Sequence, residues 1–178
     1  IIIESRPEMT LDVGNFPWLS YLLVFPLIGA VWTFAFRDNP SAPRLIALVT
    51  TLFTLGISIF VFIKQADLFG DGSAPGSGFV LVEEYVWAPN LGISLLLGVD
   101  GLSSPMVLLT GIITPLTVLF SWHEKEKPAL FFSLLLIMQT ALYGVFITLD
   151  YFVFYIFWEV VLIPMFFLIA IWGGDNRK

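Results

Sequence analysis

The chain has 178 residues, no cysteine and a formal net charge of −6, with 58% hydrophobic, 16% aromatic and only 12% charged residues. A water-soluble domain of this size carries about a quarter of its residues as Asp, Glu, Lys or Arg, so half that share excludes a disordered chain and points to an integral membrane protein. The missing cysteines exclude disulfides, thiolate zinc sites, iron–sulfur ligation and cysteine nucleophiles, and the acidic balance excludes a nucleic-acid surface of clustered Lys and Arg.

A bilayer core of about 30 Å needs roughly 20 apolar residues in helix. Five stretches qualify: Phe16–Phe36, Leu45–Ile63, Leu102–Trp122, Ala129–Leu149 and Tyr151–Trp172. The expected fold is an all-α membrane protein of five transmembrane helices. The chain divides into an outer segment 1–15, helices one and two within 16–63, an outer loop 64–101, helices three to five within 102–172, and the start of an inner loop at 173–178. With the N-terminus outside, the inner segments hold Arg37, Arg44, Lys125, Lys127, Arg177 and Lys178, and the outer ones only Arg6 and Lys64. This bias predicts N-out, C-in. The first stretch has no basic leader and is about twice too long for a signal-peptide core. A first residue Ile1 instead of Met suggests that a few N-terminal residues are missing.

The loop after helix two opens with the tract Gly70-Asp71-Gly72-Ser73-Ala74-Pro75-Gly76-Ser77-Gly78. Its spacing fits no dinucleotide or phosphate motif, and it reads as a flexible connection. Two β-prone runs, Phe79–Trp87 and Leu91–Val99, flank the turn residues Ala88-Pro89-Asn90 and predict an outer hairpin packed on the helices or on a neighbouring subunit.

Small and polar residues recur at helical spacing. They are Ala47, Thr51, Thr54 and Ser58 in helix two, Ser103, Thr110, Thr114, Thr117 and Ser121 in helix three, and Ser133, Thr140, Gly144 and Thr148 in helix four. Such stripes let backbones approach and hydroxyls bond across helices. The sharper reading has them line a hydrated path with Gln139. Pro26, Pro115 and Pro164 fall inside spans, where each removes a backbone hydrogen bond. His123, Glu124 and Glu126 read as a solvated interfacial loop, and Asp100 and Asp150 as helix N-caps.

Glu159 stands apart, near the middle of the fifth span. A carboxylate at a helix centre costs about 3 kcal/mol on the insertion scale. The fourteen Phe, Leu, Ile and Val residues of the span each return roughly 0.3–0.6 kcal/mol, so the helix still inserts. An intramembrane ionisable residue is a candidate for an ion or proton path, the alternative being a protonated acid that joins two helices. A carboxyl group that its surroundings switch between charged and neutral forms is suited to taking up and releasing protons. Pro164 frees the Val160 carbonyl beside it, and Tyr155, one turn earlier on the same face, is placed to donate a hydrogen bond. No metal site is expected.

The run Leu97-Gly98-Val99-Asp100-Gly101-Leu102-Ser103, the segment Gly144-Val145-Phe146 with Asp150, and the string Trp158-Glu159-Val160-Val161-Leu162-Ile163-Pro164-Met165 closing on Ile171-Trp172-Gly173-Gly174 resemble the antiporter-like subunits of respiratory complex I, proton-translocating NADH:quinone oxidoreductase. The string looks most like chain M, also called chain 4. The resemblance implies a fold of about fourteen transmembrane helices, of which these residues are the N-terminal part. It also implies a glutamate on helix five, matching Glu159, that pairs with a lysine on helix seven to move protons. The lysine and the broken helices of that fold would lie outside this sequence.

NADH, flavin, iron–sulfur clusters and quinone would belong to partner subunits, with none bound by this chain. Its partners would be other antiporter-like and membrane subunits and membrane lipid, with no nucleic acid. The hairpin would help clamp neighbouring subunits. The location implied is a prokaryotic cell (inner) membrane, with an organellar inner or thylakoid membrane as the alternative. The other functional readings are a subunit of a multi-subunit sodium/proton antiporter, or of a ferredoxin- or deazaflavin-dependent relative of complex I.

Overall fold

The computed structural model describes residues 16–39, 41–70, 78–88 and 93–173. The elements run α1 (Trp18–Ala35), α2 (Ala42–Gly70), β1 (Val80–Ala88), β2 (Ile93–Val99), α3 (Ser103–Phe120), α4 (Pro128–Ile147) and α5 (Tyr151–Trp172). All five helices are long and apolar enough to cross a membrane. The segment 1–15, residues 71–77 of the glycine-rich tract, the Pro89-Asn90 turn and the terminal 174–178 lie outside the described residues.

α2 departs most from its expected bounds, continuing past Ile63 to Gly70. Val61 and Gln65 are buried and Leu68 packs against the same core. Those positions are i, i+4 and i+7, one helical face, so the extension has a surface to lie on. Pro26, Pro115 and Pro164 are all accommodated within continuous helices and are buried.

α4 is the hub and packs against each of the other four helices. Ser133 Oγ donates to the Ala30 carbonyl at 3.0 Å, and Thr140 Oγ1 donates to the Leu23 carbonyl at 3.3 Å, which joins α4 to α1. Glycines mark close approaches, among them Gly29 of α1, where a Cβ would lie 2.6 Å from Thr50 of α2. A Cβ on Gly111 of α3 would lie 2.8 Å from Ser58 Oγ of α2, and one on Gly144 of α4 would collide with the Phe157 ring of α5. Small residues therefore set these helix separations, as the stripes predicted. One apolar cluster, including Leu19, Leu22, Val61, Val107 and Ile147, lies toward the strand pair. A second, including Ala30, Ala47, Val118, Phe132 and Leu136, lies toward the other end.

β1 and β2 pair antiparallel, with Ala88 part of β1 opposite Ile93 instead of in the turn. Between Val80↔Val99 and Glu83↔Leu97 the register slips by one residue, and Leu81 there has φ 55. A bulge of this kind bends the strand and re-aims the next side chain. Here that side chain is Glu83, whose carboxylate reaches the start of α1. It accepts the Leu19 N–H at 2.8 Å and the Ser20 N–H at 3.0 Å, and the Ser20 hydroxyl as well. α1 has no side-chain cap of its own, because its N-cap residue is Pro17. Glu83 thus satisfies amide groups that would be orphaned, from 63 residues away in sequence. At the opposite edge of the pair, the Leu149 N–H donates to the Leu96 carbonyl at 2.8 Å and Thr148 bridges Leu97, so the turn between α4 and α5 is stitched to β2.

Asp150 is the N-cap of α5, whereas the N-cap position of α3 is Leu102 and Asp100 bonds the helix start from two residues before it. Asp150 Oδ1 accepts from Phe152 N and Val153 N at the start of α5, at 2.8 and 3.2 Å. Asp100 Oδ1 accepts from Leu102 N and Ser103 N, at 3.0 and 2.7 Å, and its own N–H donates to Ser103 Oγ. The Ser103 N–H, above all, holds the Asp100 carboxyl below its ordinary value of 3.8.

Candidate functional site: Glu159 and the buried polar centre

α5 places its polar residues by simple periodicity. Tyr155 and Glu159 are four apart and share a face, and both are exposed. The Tyr155 hydroxyl is near enough to the Glu159 carboxylate for the two groups to interact. Pro164 is buried on the other side of the helix. Its missing N–H leaves the Val160 carbonyl without its helical donor. The three residues singled out in the sequence are therefore not one enclosed pocket. Tyr155 and Glu159 form a pair on the open face, while Pro164 is a backbone feature next to it.

That open face is extensive. Trp158, Leu162, Ile163, Phe166 and Ile169 are all exposed, and of the whole helix only Val153 and Pro164 are buried. Among the described residues Glu159 forms no ion pair, and the one ion pair present is the exposed Arg37–Asp38 contact at 4.0 Å. No group of three His, Asp or Glu among the described residues is placed to hold a metal.

A second polar site lies inside the bundle. Thr51, Thr54 and Ser58 of α2, Thr110 and Thr114 of α3, and Gln139 and Thr140 of α4 are all buried. Gln139 Nε2 donates to Thr54 Oγ1 at 2.9 Å and to the Tyr143 hydroxyl at 3.3 Å, and Tyr143 and Ser58 are 3.0 Å apart. Tyr143, fully buried at the centre of this network, was not among the residues singled out in the sequence. Its signal was there: it stands one turn after Gln139 on the same helix. Glu83 was also passed over, as an acid in a β-prone run.

The remaining loop is held from two helices. Arg44 Nη2 donates to the Glu124 carbonyl at 2.7 Å, and Trp172 Nε1 donates to the Glu126 carbonyl at 2.9 Å. His123 is exposed, as expected of a solvated loop.

No family model matches the chain. Its homologues are explicit, however. It is 41% identical over 166 residues to NAD(P)H-quinone oxidoreductase chain 4 of a Synechococcus strain, covering 92% of this chain and 30% of that protein. It is 40% identical over 162 residues to F(420)H(2) dehydrogenase subunit M of Methanosarcina mazei, covering 90% of this chain and 31% of that protein. The chain thus spans about a third of the length of these relatives. Among solved structures, respiratory complex I from Thermus thermophilus superposes with a TM-score of 0.71 at 22% identity, over 89% of this chain and 30% of the matched one. The membrane-bound sulfane sulfur reductase, an archaeal respiratory membrane complex, gives 0.73 at 19% identity, over 91% and 32%. These likenesses establish the fold: five membrane-type helices arranged as in a chain of a respiratory membrane complex.

Proposed function

We propose, with the homology to chain 4 and subunit M as premise, that this chain is the five-helix N-terminal portion of a proton-translocating membrane subunit in a complex I-type quinone oxidoreductase. Identity near 40% over nine tenths of the chain carries the reading. Glu159 is its proton-relay carboxylate, supported by Tyr155 and by the carbonyl that Pro164 frees. An acid exposed on a membrane helix, beside its own hydrogen-bond donor, is costly unless a further segment or subunit covers it. A cation supplied by that segment would set its protonation state.

The chain lies in the membrane of a prokaryotic cell with its N-terminus and strand pair outside. The basic residues Arg37, Arg44, Lys125 and Lys127 then lie inside. The hairpin faces neighbouring subunits, and NADH, flavin, iron–sulfur clusters and quinone are handled by partners. The two homologues are named for different electron donors, so the shared element is the membrane subunit and not the donor.

The test is Glu159→Gln in the full subunit within its assembled complex, reconstituted in vesicles. Proton flux per electron should fall strongly while the complex still assembles. Unchanged flux overturns the relay. Sodium exchange driven by a pH gradient, without quinone reduction, would identify an antiporter instead.

A further inference from the structure

α3 packs less closely on α4 than on α2. Gly111 seats α3 against Ser58 of α2, and a groove is left between α3 and α4. Its deeper part, about 220 Å³, is lined by Leu109, Ile113 and Met138 among others. Its mouth, about 370 Å³, holds Asp100 and Ser103 at the end of the bundle that carries the strand pair. Met106 and Phe146 line both parts, so the two run into one another. From Ser103 to Thr117 the groove follows α3 for about 21 Å at about 1.5 Å per residue, which exceeds the roughly 15 Å of one hydrocarbon leaflet.

The chemistry changes along this length. The deeper wall is almost entirely apolar, and the exposed Leu109 and Ile113 open it to the outside of the bundle. Thr110, Thr114 and Thr117 do not alter that, because each hydroxyl donates to a carbonyl of its own helix, at 2.9, 2.8 and 2.9 Å. The mouth differs: it presents a carboxylate and a hydroxyl, with no Lys or Arg in its lining. The Ser103 N–H, above all, holds the Asp100 carboxyl below its ordinary value, so the acid is charged at neutral pH.

An apolar groove left empty in a bilayer would forfeit the dispersion contacts of its lining. The deeper volume, spread over the roughly 16 Å from Met106 to Thr117, gives a cross-section of roughly 13 Å², far below the roughly 80 Å² of a helix about 10 Å across. A single hydrocarbon chain fits that width and a further helix does not. We propose that the α3–α4 groove binds one phospholipid, with an acyl chain along Leu109, Ile113 and Met138 and the ammonium of an ethanolamine headgroup at Asp100. A net anionic headgroup, such as that of phosphatidylglycerol, meets like charge at the mouth instead. α5 takes no part in the groove, so the site is independent of the role given to Glu159.

The assembled complex in nanodiscs tests it, with phosphatidylethanolamine or phosphatidylglycerol carrying a diazirine at a chosen acyl carbon and the adducts mapped by mass spectrometry. A diazirine near the headgroup should mark Met106 and Phe146, and one near the chain end should mark Met138. Adduct yield should favour the ethanolamine lipid about threefold, the scale of a partly exposed ion pair, and that ratio should fall to one in Asp100→Asn. Leu142→Trp, which places an indole in the groove, should abolish the deep adducts. Equal yields from the two lipids in the native complex, or deep adducts that persist in Leu142→Trp, overturn the proposal. So does a native groove that takes no lipid adduct, the result expected if another protein segment covers it. Should either variant fail to assemble, the depth order and the headgroup ratio of the native complex decide.

Discussion

α4 and α5 are adjacent helices of similar length and apolar content, yet 61% of the α4 span is buried inside the chain against 11% of the α5 span. α4 carries Ser133, Gln139, Thr140 and Tyr143, all neutral and all bonded to neighbouring helices. α5 carries one charge and turns it outward. In lipid, apolarity does not separate inside from outside, because acyl chains are as apolar as leucine. Polar content does. Neutral hydroxyls and amides draw a helix into a bundle, whereas a carboxylate next to a wide apolar face marks a surface still to be covered by something that matches it.

The sharpest way to break this contrast is at the seam between the two helices. Gly144→Ala should destabilise the intact subunit by about 3 kcal/mol, the upper end of overpacking costs, because the new methyl collides with the Phe157 ring. Unfolding in mixed micelles measures it. Adding Phe157→Ala should recover part of the loss, since the pair is in contact.

Next comes a matched truncation. Leu136→Ala on α4 empties a fully buried site and should cost about 2 kcal/mol. Leu162→Ala on the open face of α5 should cost much less within this five-helix unit. Equal effects would mean that α5 is as embedded as α4. Smaller again is Glu83→Ala, which removes the cap of α1 and should cost about 1 kcal/mol. Faster hydrogen exchange at the Leu19 and Ser20 amides would report it.

The smallest effect is set by pH. The Asp100 carboxyl is held below its ordinary value of 3.8 in the folded chain. Its contribution is therefore present above that value and is lost as pH falls through the lower folded one. Asp100→Asn should lower stability slightly at neutral pH, where that contribution is present, and flatten the acid limb along which it is lost. A steepened acid limb would contradict the assignment.

Much of this was readable in advance. Length and apolarity marked all five helices, and local chemistry marked Asp100 and Asp150, because an acid at a helix start bonds within three residues of itself. Glu159 was conspicuous as a charge in a span. Glu83 was not. Its partners are Leu19 and Ser20, and no local pattern announces a bond across that distance. Tyr143 was hidden for a related reason: an aromatic in an apolar helix looks like packing until the side chains around its hydroxyl are known.

The sequence by itself determined that the chain lies in a membrane, how many helices it forms and which residue breaks their apolarity, because these follow from composition along one helix at a time. Tertiary structure alone decided that α4 is the hub, that the strand pair is clamped to α1 by Glu83, and that Gln139 and Tyr143 of α4 bond the hydroxyls of Thr54 and Ser58 of α2. Those outcomes depend on which helix faces meet. Within lipid, the close fit of small residues and the pairing of protons with lone pairs select those faces, and neither is a property of any one segment.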